Sequence, residues 1–96
     1  MEFSHISVLL NQTVDALNIK PDGIYVDGTA GGAGHSREIA AKLTTGMLYA
    51  FDRDPDAVEV ATKRLKDCNA VVINENYYNF DSVLKNKGIN KIDGLT

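Results

Sequence analysis

The stretch IYVDGTAGGAGHS, residues 24–36, joins a short apolar run to four glycines, Gly28, Gly31, Gly32 and Gly34, and ends on a histidine and a serine. Pro21-Asp22-Gly23 before it is a turn signal, and Ile24-Tyr25-Val26 is β-branched and aromatic, as a short buried strand requires. From Ser36 onward, Ile39, Ala40 and Leu43 recur at helical spacing until Thr44-Thr45-Gly46 stops them. The stretch is therefore a strand, a nearly bare bend and a helix. A bend of this kind lets a ligand approach the backbone closely, and the helix that follows offers unpaired N–H groups to an anion or carboxylate.

The pattern repeats downstream. Met47-Leu48-Tyr49-Ala50-Phe51 is a second apolar run closed by Asp52, and Asp54-Pro55 then starts a helix. Asp54 caps free N–H groups there, and Pro55 fits the first helical position, where no donor is missed. Ala57, Ala61 and Leu65 fall on the inward face of that helix, while Glu59 and Lys63 form an outward pair four apart. Ala70-Val71-Val72-Ile73 reads as a third strand; Phe80, Val83, Leu84 and Lys87 follow helical spacing to Gly88, a C-terminal stop. Ahead of the first strand, Leu10, Val14 and Leu17 share one face, so residues 1–22 are expected to be a helical segment, with Asn11 or Thr13 as its cap.

Strands alternating with helices at short spacing imply right-handed crossovers and a parallel sheet with helices on both faces. The expected fold is α/β: a partial Rossmann-like domain with a three-stranded parallel sheet of order 3-2-1, flanking helices and the start of a fourth strand. Lys91-Ile92-Asp93-Gly94-Leu95-Thr96 reads as a turn feeding that strand, which stops as it begins. A truncated chain is the expectation. The first strand would then present an open edge, and self-association through it is expected. Ligands of such sheets lie beyond the carboxyl ends of the strands, where the glycine bend, Asp52 and the Asn74–Tyr78 loop converge.

Composition narrows the partners. A formal charge of -3 gives no global electrostatic reason for tight nucleic-acid binding, so an RNA partner needs a local basic patch. Lys63, Arg64 and Lys66 cluster on a helix that also carries Glu59 and Asp67, which reads as a solvated face. The single cysteine, Cys68, cannot form an intrachain disulfide and suits a reducing, cytoplasmic setting. No apolar run approaches the roughly 20 residues of a membrane span, so a soluble protein without membrane contact is expected, and no metal is expected.

Three ligands compete for the bend. The phosphate loop of nucleotide hydrolases fails, because no Gly-Lys-Ser or Gly-Lys-Thr follows. A dinucleotide fingerprint begins at Gly32-Ala33-Gly34, yet its sixth position is Arg37, which disturbs the close helix-to-strand packing a third glycine permits. Asp52, about 20 residues on, suits a ribose diol in either remaining case. S-adenosylmethionine needs close backbone approach without a pyrophosphate cradle. Spacing alone leaves the choice open.

His5-Ile6-Ser7-Val8-Leu9-Leu10, Pro21 through Thr29, Gly34-His35-Ser36 and Phe51-Asp52-Arg53-Asp54-Pro55 together resemble the bacterial small-subunit ribosomal RNA cytosine-N4 methyltransferase family. The resemblance covers nearly the whole chain. It implies methyl transfer from S-adenosylmethionine to the exocyclic N4 of a cytidine in small-subunit ribosomal RNA, with this chain supplying the cofactor half-site and lacking turnover alone. It also implies that Ala33, Gly34 and His35 line the methionine end of the cofactor, that Asp52 holds the ribose hydroxyls, and that Tyr77 lies beside the adenine where family members commonly have phenylalanine; Gly31 is a further expected cofactor-binding residue. Ala33 departs from a common glycine, and an Asp-Leu-Gly-x-Ser-Ser continuation is absent.

Plainer roles stand beside these. Asp27 either caps the glycine turn or lies near the methionine amino group, and His35 is either a helix-start cap or a cofactor contact. His5 has no task assigned by its spacing, and no residue stands out as the acceptor of the amine proton. A cofactor-binding or interaction module without catalysis, or an NAD-binding domain, is the rival reading.

Overall fold

The computed structural model describes residues 7–8, 19–28 and 34–95. In chain order these form β1 (Ser7–Val8), β2 (Ile24–Asp27), α1 (Gly34–Ala40), β3 (Met47–Asp52), α2 (Pro55–Arg64) and β4 (Ala70–Asn74). A single 3-10 turn over Tyr77–Asn79 leads into α3 (Phe80–Asn86), followed by β5 (Lys91–Ile92) and β6 (Gly94–Leu95). The main sheet has the order β4-β3-β2-β6 with every pairing parallel. The three strands read from the sequence thus lie in the expected 3-2-1 order, and the start of the fourth lies beside the first. β6 takes up Tyr25 and Val26, so the flank expected to be open is covered at those residues by the chain itself.

The central strands β2 and β3 carry buried residues on both faces, and their alternation divides the core. Tyr25 and Leu48 point to the face covered by Ile39, Ala40 and Leu43 of α1 and the turn after it. Ala50 on the same face meets Ala61 and Leu65 of α2, two alanines that let helix and strand pack closely. Val26 and Phe51 point the other way, against Phe80 and Leu84 of α3 and Ile92 of β5. The domain is therefore wound on both sides of the sheet. Among the described residues no helix is long and apolar enough to cross a membrane.

Local chemistry explains the helix ends. Asp54 accepts the N–H of Asp56 at 2.9 Å and caps α2, whose first residue is Pro55, as the sequence predicts. The close of α3 is a Schellman motif: Gly88 N–H donates to Lys85 C=O and Ile89 N–H to Leu84 C=O, both at 2.9 Å. Gly88 adopts φ 82°, where a side chain would be strained, and Ile89 packs on the same cluster as Leu84. Cys68 lies in the turn after α2, half-buried between the two clusters on that face.

The amino-terminal expectation needs correction at two residues. Ser7–Val8, inside the segment read as helical, is a strand paired in parallel with Lys91–Ile92. Lys91–Ile92 is accordingly a strand and not only a turn. The physical reason is that a two-residue pairing is set by a backbone partner some eighty positions away, which local periodicity cannot register. The face formed by Leu10, Val14 and Leu17, with its caps Asn11 and Thr13, lies outside the described residues.

Asp93 makes the switch from β5, paired with β1, to β6, paired with β2. Its N–H donates to Ile24 C=O at 2.7 Å, and its Oδ2 accepts the Ile24 N–H at 2.9 Å. One residue thereby satisfies both backbone groups at the start of β2. Oδ1 also faces the Lys20 ammonium at 3.6 Å, an exposed pair of small value. We predict that Asp93→Ala costs about 2 kcal/mol by urea denaturation, as expected for a hydrogen bond to a charged group, whereas Asp93→Asn, which keeps the acceptor, costs about 1 kcal/mol or less. Equal losses in the two variants would contradict this.

Candidate functional site at the strand ends

The carboxyl ends of the three central strands carry Asp27, Asp52 and Asn74. Asp27 pairs across from Ala50, and Asp52 from Asn74, so Asp52 lies two residues further along the next strand. Adjacent strands lie about 4.8 Å apart and each residue advances about 3.3 Å, which separates the two aspartates' backbones by less than about 10 Å. The parallel sheet thus gathers two carboxylates at one edge.

Asp27 is fully buried, and Ser36 Oγ–H donates to its Oδ2. Ser36 is equally buried because it occupies the first place of an inward row, Ser36, Ile39, Ala40 and Leu43, at spacings of three, four and seven. A carboxylate without water must find donors in the protein, and a charge-assisted bond from a hydroxyl is a strong one. The serine is the only polar member of that row.

Tyr77 reaches the same place from the loop after β4. A Cβ added to Gly28 would lie 2.2 Å from the Tyr77 ring, so the ring rests directly on the bare backbone that follows Asp27. Its other neighbour is Phe80, stacked at 5.5 Å between centroids with 19° between planes. Burial, then the charge of Asp27, then Tyr78 raise the Tyr77 phenol above its ordinary pKa. Tyr77 is consequently both a flank of the α3 core and a wall of the strand-end site.

Asp52 is half-buried, and its Oδ1 accepts the Asp54 N–H at 2.9 Å. Asn74 Nδ2 donates to the carbonyls of Asp52 and Arg53, at 3.0 and 3.1 Å, which ties the end of β4 to the turn after β3. The next turn is built from its own side chains. Glu75 Oε1 accepts from Asn76 N–H at 2.9 Å and Asn79 Nδ2 at 3.1 Å, and these bonds, the backbone one first, hold its carboxyl below the usual range. Asn76 Oδ1 accepts the Tyr78 N–H and starts the turn that carries Tyr77.

Of the residues singled out in the sequence, the structure brings Asp27 and Tyr77 together and sets Asp52 on the neighbouring strand end. Gly34 and His35 open α1, while Gly31, Ala33 and His5 lie outside the described residues. Ser36 and Gly28 were not singled out. Ser36 carries a signal, a hydroxyl on an otherwise apolar helical row, but Gly28 is one glycine among several until Tyr77 is seen against it. Lys63, Arg64 and Lys66 are exposed, and the Arg64 carbonyl accepts a bond from Arg37 Nη1.

A doubly wound parallel sheet with its polar groups at the strand ends defines a Rossmann-like domain. Known proteins make the class more specific. An rRNA methylase from Streptococcus thermophilus superposes with a TM-score of 0.62 at 28% identity, over 71% of this chain and 42% of that one. The precorrin-6y C5,15-methyltransferase of Geobacter metallireducens superposes at 0.55 and 24% identity, over 62% and 33%, and shows the fold alone. The chain belongs to the MraW methylase family, whose sequence model matches residues 2–96. It is 56% identical to ribosomal RNA small subunit methyltransferase H of Lachnospira eligens and 53% identical to that of Clostridium botulinum strain Hall. Both alignments cover 99% of this chain and 31% of the relative, so the chain spans about a third of their length.

The contact between Gly28 and Tyr77 is directly testable. Gly28→Ala is predicted to cost about 1–3 kcal/mol in chemical denaturation, the usual range for overpacking. Adding Tyr77→Ala removes the ring, and the double variant is expected to be more stable than the sum of the single losses; simple additivity would refute the contact.

Proposed function

We propose that these residues form the S-adenosylmethionine-binding part of a methyltransferase acting on the exocyclic N4 of a cytidine in small-subunit ribosomal RNA, in the cytoplasm. The domain assignment follows the same reading, with residues 1–96 as the amino-terminal part of one cofactor-binding domain. The observation that carries it is the placement of Asp27 and Asp52 at adjacent strand ends beside the bare Gly28 backbone, in a chain of the MraW methylase family.

The donor set suits this cofactor. An ammonium, a ribose diol and an adenine call for a carboxylate, a second carboxylate and an apolar or aromatic wall. Asp27 would take the ammonium, Asp52 the diol and Tyr77 the flank of the adenine, while Gly31, Ala33, Gly34 and His35 would line the methionine end. When bound, the cofactor supplies an electrophilic methyl group on sulfur. The chain's own contribution is positioning: Asp52, oriented by the Asp54 N–H, would face the ribose, and the Tyr77 ring, seated on Gly28, would flank the adenine. The proton of the attacking amine needs an acceptor, and none of the described residues is assigned that role. We therefore propose that the 96 residues bind cofactor without completing the transfer.

An NAD-binding domain remains the alternative that shares a ribose-binding Asp52. Calorimetric titration separates the two. S-adenosylmethionine and S-adenosylhomocysteine are expected to bind, NAD is not, and Asp52→Ala is expected to weaken both true ligands by about tenfold, the scale of a lost charged hydrogen bond. Asp52→Asn keeps an acceptor for Asp54 and controls for the turn. Binding of NAD alone would overturn the proposal, and methylation of ribosomal RNA by the same sample would overturn its claim of no turnover.

A further inference from the structure

We infer that the outer edge of β4 is a self-association surface, to which a second copy of this chain adds its own β4 in antiparallel. β4 ends the main sheet beyond β3, and among the described residues no strand lies on its far side. This is the edge opposite the β2 flank, which β6 covers. The register fixes which backbone groups face outward. Leu48 aligns with Ala70 and its N–H donates to Asn69 C=O at 3.0 Å, so Asn69, Val71 and Ile73 turn their backbone groups towards β3. Ala70, Val72 and Asn74 turn theirs away. The Ala70 N–H bends back onto Cys68 C=O at 2.8 Å, which leaves the N–H groups of Val72 and Asn74 and the carbonyls of Ala70 and Val72 along the edge.

None of the usual edge protections is present. Residues 68–74 carry no charge and no proline, and the pairing with β3 runs from Ala70 to Asn74 without a bulge. Ala70, Val71, Val72 and Ile73 are only half-buried, although Val72 packs on Ala50, Ala61 and Leu65, and Ile73 on the cluster of Phe51 and Phe80. The edge is also complementary to itself. With a two-fold axis at Val72, each Val72 N–H meets the Val72 carbonyl of the other copy, and each Asn74 N–H meets an Ala70 carbonyl. Val71 then lies opposite Ile73, a β-branched pair, and Glu75 opposite Asn69, so no like charges face each other. This match of backbone and side chains in one symmetric register selects a second copy over an unrelated strand. Five residues make a small contact, so the dimer is weak and depends on concentration.

Sedimentation equilibrium of the 96-residue chain is expected to show a mass rising from one copy towards two as concentration increases. Amide exchange followed by NMR locates the joint. The amides of Val72 and Asn74 are expected to slow as the dimer fills, while those of Val71 and Ile73, turned towards β3, stay slow throughout. Val72→Pro removes the outward donor and spares the bonds to β3. It is expected to weaken dimerisation about thirtyfold, because the bond and its symmetry mate are lost together, with the far-UV circular dichroism unchanged. A mass of one copy at every concentration, association without slowing at Val72 and Asn74, or a folded Val72→Pro chain that associates like the wild type would overturn the inference. If Val72→Pro does not fold, the exchange pattern of the wild-type chain decides by itself.

Discussion

Parallel strands cannot be joined by hairpins, and that constraint arranges everything else in this domain. Each of the crossovers from β2 to β3 and from β3 to β4 must return the chain to the same end of the sheet, and a helix does so while burying one face. All carboxyl ends therefore collect at one edge. Asp27, Asp52 and Asn74 meet there without any local attraction between them, and the turns after the strands inherit the same position. The site is a by-product of topology, tuned by what the turns contain.

The tuning is visible in how the edge handles polarity. Asp27 sits among apolar groups with Ser36 as a donor, whereas Asp52, two residues further out, keeps partial exposure and uses the Asp54 N–H. The inner carboxylate is buried and the outer one partly exposed. Tyr77 belongs to both regions, with one side on the Phe80 stack and the other over Gly28. The precorrin methyltransferase with the same fold carries no substrate argument for this chain, since fold similarity concerns the scaffold alone.

The weakest joint of the scaffold is also its most informative. β1, β5 and β6 are two residues each, too short to hold themselves, and Asp93 secures their junction by bonding both backbone groups of Ile24. The amino-terminal strand thereby depends on a residue near the other end of the chain. Such contacts close long loops, which makes them late gains in folding and sensitive to a single substitution.

Much of the fold was legible in the sequence because it rests on short-range chemistry. Asp54-Pro55 starts α2, Gly88 ends α3, and three apolar runs closed by turns or charge are the central strands, each decided by residues within a few positions of one another. The place of Asp52 at a strand end was legible for the same reason. Ser36 was half legible, as a hydroxyl on an apolar row whose partner could not be named. The strand Ser7–Val8, the two hydrogen bonds between Asp93 and Ile24 and the contact of Tyr77 with Gly28 were not legible, since each joins positions about fifty or more apart. By itself the sequence determined the three central strands, the helices that follow them and that a carboxylate ends each of two strands. Only the tertiary structure decided which carboxylate is buried and what holds it, because burial and partner choice depend on surfaces that exist only after the sheet has formed.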